Sequence, residues 1–204
     1  MSATAPGARI ERLVTSGTFS LDGGTWDVDN NVWIVGDDTE VVVIDPAHDP
    51  AAIHAAVGDR AVRAILLTHG HDDHIRAAKA TAELLNAPIH LHPADRMLWD
   101  AVYDTAPDAE LADGDEITIA GVALQAVHTP GHSPGSTSFV ASDLGAVFSG
   151  DTLFNGGPGA TGRSYSDFPT IIDSIRDRLL VLPADTVVCP GPGAPGATGP
   201  QAPP

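Results

Sequence analysis

Cysteine is nearly absent from this chain. Cys189 is the single one in 204 residues, so no internal disulfide can form, and a reducing, cytoplasmic setting is expected. Positive charge is scarce as well. Ten Lys and Arg stand against 27 Asp and Glu, and the resulting formal charge of −17 argues against nucleic acid or an anionic membrane as partner. Long apolar runs are missing. Stretches such as Ala64–Leu67 fall far short of the ~18 residues that span a bilayer. The opening MSATAPGARIERLV has no apolar signal core, because Glu11 and Arg12 sit where one would be.

What is present fits one domain, long enough to bury roughly 70% of its unfolded surface. β-branched runs at Arg9–Thr15, Asn31–Gly36 and Glu40–Asp45 predict strands, and Pro50–Val57 predicts a short helix. A buried strand follows over Ala61–Thr68, and then a helix over Asp72–Leu85, with acids in its first turn and Pro88 beyond its end. Pro88–His92 reads as a strand and Pro93–Tyr103 as a helix. Ile117–Ile119, Val122–Val127, Thr137–Ala141 and Ala146–Ser149 read as four consecutive strands. Apolar residues at helical spacing over Pro169–Leu182 and a last strand at Thr186–Cys189 complete the pattern, which favours a layered α/β domain. Residues 190–204 hold six Pro and four Gly in fifteen positions, without charge. They are expected to form a disordered tail after a domain of residues 1–189.

Nine histidines beside one cysteine point to nitrogen and oxygen ligands, should a metal be bound. They concentrate after the strand AILLT, in His69-Gly70-His71-Asp72-Asp73-His74. Three imidazoles and an acid are costly to bury without partners, and both groups suit zinc or iron. The strand end and its tight turn hold His69 and His71, while Asp73 and His74 project from the first helical turn toward the same place. Two further segments place polar groups at strand ends: HTPGHSPGS with His132, and FSGDTLF with Asp151.

THGHDDH, HTPGHSPGS and FSGDTLF, in that order, resemble the metallo-β-lactamase-fold hydrolases, closest to the glyoxalase II-like (hydroxyacylglutathione hydrolase) branch, from about residue 9 to 191. The resemblance implies a four-layer αββα sandwich with metal at one edge between the sheets. It implies a first ion on His69, His71 and His132, a second on Asp73 and His74, and Asp151 between them. The family's last histidine, in P-G-H-G, is replaced by Pro192 in Cys189-Pro190-Gly191-Pro192-Gly193, so the second position lacks a ligand. The break inside a motif fits a shifted reading frame or a divergence to a one-metal protein.

The expected activity is hydrolysis of S-acyl thiol conjugates by a metal-activated hydroxide, with one or two zinc ions per chain. Asp73 would orient the water and Arg163 would face an acidic substrate. A mononuclear iron persulfide dioxygenase using His69, His132 and Asp151 is the alternative, with iron as its cofactor. A metal-impaired, inactive domain and lactone or β-lactam hydrolysis are others. The expected partner is a small-molecule thioester, and the expected state a monomer or small homo-oligomer. Asp45 and His128 are placed behind the ligands, orienting them. His48, His54, His90, His92, Asn31 and the three tryptophans read as surface or structural residues. Gly131-His132-Ser133-Pro134-Gly135 matches the serine nucleophile elbow, but Pro134 has no N–H to give an oxyanion.

Overall fold

The computed structural model describes residues 7–198; residues 1–6 of the amino-terminal stretch and residues 199–204 of the expected tail lie outside them. The chain opens with a long hairpin, β1 (Arg9–Leu21) and β2 (Gly24–Gly36), which pairs Leu21 with Gly24. Its two loop residues, Asp22 and Gly23, both have positive φ (51° and 77°), the Asp-Gly geometry whose twist matches the strands. The strands predicted at either end are therefore longer than expected. Their outer halves are rich in Ser, Thr and Asp and carry little apolar signal, yet they pair across the ribbon.

β3 (Glu40–Ile44) adds to β2 antiparallel. A helix, α1 (Pro50–Val57), crosses over to β4 (Ala61–Leu66), which is parallel to β3. Asp49 caps α1 by accepting from Ala52 N at 3.0 Å, and Pro50 opens it. The helix expected over 72–85 is divided into α2 (Asp72–Ile75) and α3 (Ala78–Leu85). The Tyr103 hydroxyl causes the break. It lies 2.7 Å from the carbonyl of Ile75 and accepts from Lys79 N, entering the backbone ladder where those two groups would have paired. β5 (Ile89–Leu91), α4 (Arg96–Asp100) and the short β6 (Ala109–Glu110) complete the first sheet, in the order β1-β2-β3-β4-β5-β6.

The second sheet starts as a meander of β7 (Glu116–Ile119), β8 (Val122–His128), β9 (Thr137–Ala141) and β10 (Ala146–Gly150). A two-stranded flap of β11 (Leu153–Phe154) and β12 (Gly157–Pro158) follows. The helix α5 (Phe168–Ser174), capped by Asp167, then runs on as a π-helical turn over Ile175–Leu179. It returns the chain to β13 (Val187–Pro190), parallel to β10, and β14 (Gly196–Ala197) pairs with β13. Up to Thr198, therefore, the segment expected to form no packed element does form one. Its backbone is gripped from β2: Asn31 Nδ2 donates to the carbonyls of Pro190 (3.0 Å) and Gly193 (2.8 Å), and Trp33 Nε1 donates to Pro190 (3.0 Å).

Alternation of side chains divides the apolar residues among three layers. Val32, Ile34, Val41 and Val43 face outward against Ile53, Val57, Ala78 and Trp99 on the helical side. Trp33, Val35, Val42, Ile44 and Leu66 face inward against Ile119, Leu124, Phe139 and Phe148 of the second sheet. Val127, Val140, Val147 and Val188 on the far face meet Ile171, Ile175 and Leu179. This is the four-layer αββα sandwich. Because β3 and β4 are parallel in one sheet and β10 and β13 in the other, their carboxyl ends supply one shared edge.

Phe148 is fully buried between the sheets, its ring 5.8 Å from that of Trp33. Phe148→Ala is expected to cost about 3–5 kcal/mol of stability by guanidinium unfolding. Val181→Ala, at a site 69% exposed, should stay within about 0.5 kcal/mol.

Candidate metal centre

All the predicted ligand positions meet at that shared edge. His69 and His71 follow β4, Asp73 and His74 lie on α2, His132 lies in the β8–β9 loop, and Asp151 follows β10. Ring nitrogens of His69, His71 and His132 lie within 4.8 Å of one another, all buried. His71 Nδ1 is 2.9 Å from His132 Nε2; two imidazole lone pairs that close need a proton or a cation between them. His74 Nε2 stands 3.5 Å from Asp73 Oδ2 and 3.3 Å from Asp151 Oδ1, and His132 Nε2 is 3.6 Å from Asp151 Oδ2.

The rear nitrogen of three of these rings is tied down. His69 Nδ1 meets Thr68 Oγ1 at 3.1 Å, and that hydroxyl donates to Asp45 Oδ2 at 2.6 Å. His74 Nδ1 donates to the same Asp45 oxygen at 3.0 Å, and His132 Nδ1 to the carbonyl of Ala160 at 2.8 Å. Each bond orients its ring with Nε2 toward the centre, the arrangement that metal-binding histidines use. Buried His69 Nε2 and Asp151 Oδ1 have no hydrogen-bond partner, so a cation would satisfy groups that are otherwise costly to bury. The donor set fits a metal.

Electrostatics agree. Burial, reinforced by the neighbouring imidazoles, holds His69 well below its usual pKa and takes His71 down to about 3, so both are neutral at pH 7, the form that can ligate. Burial works against charge on His74, but Asp73, Asp151 and Asp45 outweigh it and raise that ring well above its ordinary value. Burial likewise pushes Asp151 up, yet His74 and the other rings bring it below the usual carboxylate range. The pocket between these groups favours positive charge.

Asp45 thus stands behind the candidate ligands, whereas His128 does not contact His132. Its Nε2 meets the carbonyl of Pro134 at 2.8 Å and its ring stacks on His92 at 4.2 Å, so it braces the loop instead. His48 is half-buried and not a surface residue, with Nε2 3.4 Å from Asn30 Oδ1. Of the tryptophans, Trp33 and Trp99 are core, whereas Trp26 is 40% exposed and lines a cavity over the centre. Burial pushes the Cys189 thiol up to about 12, leaving it no nucleophile.

Two residues escaped sequence reasoning. Asn30 is fully buried with Nδ2 2.9 Å from Asp73 Oδ2; its signal was a polar pair, Asn30-Asn31, set against an apolar run. Asp95 is also fully buried. It accepts from Gly70 N (2.8 Å) and Ser133 Oγ (2.6 Å) on one oxygen and from Gly135 N (2.5 Å) on the other. It joins the His69–His71 turn to the His132 loop, and Gly70 lets the chain come close, since a Cβ there would stand 2.9 Å from Leu98 Cβ. Its signal was the position of a carboxylate just past a strand end, as for Asp45.

Residues 25–191 match the family model of the metallo-beta-lactamase superfamily, and the chain belongs to that superfamily, whose fold binds metal ions. It is 34% identical to "Probable metallo-hydrolase YqgX" of Bacillus subtilis over 76% of this chain and 81% of that one. It is 30% identical to the hydroxyacylglutathione hydrolase GloC of Haemophilus influenzae, over 78% and 82%. Among solved structures, TTHA1623 in a di-iron-bound form superposes with a TM-score of 0.75 at 32% identity, covering 84% of this chain and 91% of that one.

Asp95→Asn keeps the volume but sets an NH2 against one of three donors. Metal affinity, read by chelator competition, is expected to fall about 10–100-fold. An unchanged affinity would show that the two loops hold their register without it.

Proposed function

We propose that this member of the metallo-beta-lactamase superfamily hydrolyses small-molecule thioesters, S-acyl conjugates of a thiol. Supporting this are the hydrolase relatives, GloC among them, and the character of the cavity over the donors. That cavity, of about 260 Å3, has His71, Asp73, His132 and Asp151 at its base, Phe19, Trp26, Val28 and Ala160 in its walls, and Arg163 at its side. This last feature carries the reading, because it sets one fixed cation and an apolar surface directly above the ligand atoms.

His69, His71 and His132 would hold one ion, Asp73 and His74 a second, and Asp151 would face both. Zinc suits the three-imidazole position. When bound, the metal supplies Lewis-acid charge and brings the pKa of water to about 7. The protein does the rest. The base of the cavity places the thioester carbonyl beside the ligand set, and Asp73 orients the attacking water. The departing thiol has a pKa near 8.5, so it leaves as an anion without an acid residue to protonate it. The Arg163 guanidinium lies 3.9 Å from the centre of the Trp26 ring and 5.8 Å from that of Phe19, a stack that holds the cation ready for a carboxylate on the substrate.

Thiol release from S-lactoyl-type thioesters by the metal-loaded protein is the direct test. Absence of release, with oxygen uptake on a thiol persulfide by an iron-loaded sample, would replace this reading with the dioxygenase one. Arg163→Met should raise KM about 10–150-fold for carboxylate-bearing thioesters, as loss of a charged hydrogen bond of about 1.5–3 kcal/mol requires, and leave neutral thioesters and kcat little changed. Equal effects on charged and neutral substrates would remove Arg163 from substrate binding.

A further inference from the structure

The second metal position has lost its histidine to Pro192, and the structure shows what stands there instead. Residues 190–193 are drawn onto β2 by Asn31 and Trp33, and Pro192 forms a single antiparallel bridge with Asn30. The side chain next to the altered position is therefore the buried amide of Asn30. It lies 2.9 Å from Asp73 Oδ2 and 3.1 Å from His74 Nε2, the two ligands of that position, and His74 Nε2 is in turn 3.3 Å from the unpartnered Asp151 Oδ1.

We propose that Asn30 serves as the replacement ligand, its carboxamide oxygen completing the second metal position with Asp73, His74 and Asp151. With no cation between them, an amide N–H facing the Asp73 carboxylate is the favourable orientation, and it is the one seen. Turning the amide over by 180° exchanges donor for acceptor and directs Oδ1 to the same place. His48 Nε2, 3.4 Å from the other end of the amide, can serve both orientations, since a neutral imidazole nitrogen accepts in one tautomer and donates in the other. The Asn30 side chain thus has a partner in either state.

The donor set also sets the choice of metal. Three imidazoles and a carboxylate make up the first position; three oxygens and one imidazole make up the second. Oxygen-rich sites suit manganese, and imidazole-rich sites suit zinc, so the two positions should differ in preference. The inference rests on the metal-binding reading above. Its readout is metal content and not hydrolysis, so failure of the thioesterase assay leaves it standing.

The experiment strips the full chain with chelator, titrates it separately with Mn2+ and Zn2+, and counts bound ions by elemental analysis. Two manganese ions are expected per chain, the second weakened about 10–100-fold in Asn30→Ala, while the first stays within about twofold. Asn30→Asp, which keeps an oxygen, should retain the second ion, and Pro192→His in the Asn30→Ala background should recover it with a shift toward zinc. At saturating Co2+ the visible spectrum of the second equivalent should differ between wild type and Asn30→Ala, since a residue that only positioned Asp73 would leave it unaltered. One ion per chain with either metal, a second-ion affinity unmoved in Asn30→Ala, or an identical cobalt spectrum would each overturn the proposal.

Discussion

Desolvation of four imidazoles and four carboxylates at a single sheet edge is the constraint on which the rest of the structure turns. Each group buried alone would favour unfolding, and together they are tolerable only if every rear atom is satisfied and every front atom meets positive charge. Asp45 answers for two rings through one oxygen, directly for His74 and through Thr68 for His69. Asp95 answers for the backbone of both histidine loops. The three apolar layers supply the rigidity that keeps these bonds in place, since β3, β4, β10 and β13 deliver their ends to the edge only while both sheets stay packed face to face.

That division explains what could be read without coordinates. The candidate ligands His69, His71, Asp73 and His74 lie within six residues because one strand end and one helical turn set their geometry, so spacing alone is informative. His132 and Asp151 are harder, and they emerge only in series with the first cluster. The supports leave a weaker trace. Asp45 and Asp95 each stand just past a strand end, but Asp95 serves Ser133 across 38 positions, a partner that PAD does not announce. Element boundaries failed for a similar reason. The break between α2 and α3 is caused by a hydroxyl from Tyr103, more than twenty residues downstream, while apolar periodicity runs unbroken through Arg76 and Ala77. The order of the Pro/Gly segment as far as Thr198 was not legible because it comes from donors on β2 and not from the segment's own composition.

The two metal positions stand on unequal footing as a result. The proposed first draws its histidines from two loops that Asp95 locks together, and none of its candidate ligands departs from the motifs. The second depends on where the chain leaves β13. There Gly191 is essential to the approach, for a Cβ would run into Asp151 Oδ1 and His74 Cε1. The grip of Asn31 and Trp33 keeps that close contact even though the following residue can no longer ligate. Geometry at this corner is therefore preserved by bonds to the backbone of residues 190–193, which are indifferent to the side chain at 192.

Selectivity follows different physics from the chemistry below it. The ligands sit on core strands, but the walls of the cavity come from the projecting half of the β1–β2 hairpin and from the loop around Arg163. These are joined by hydrogen bonds from the backbone N–H and hydroxyl of Ser164 to Asp22 and by the stacking of Arg163 on Trp26 and Phe19. Neither contact contributes much to the core, and both are exposed enough to open locally at small cost. On the proposed function, a change in substrate can thus be accommodated in the hairpin tip and the facing loop without touching a candidate metal ligand. A change at the candidate metal centre must be made at the edge itself, where a substitution disturbs a buried network of hydrogen bonds.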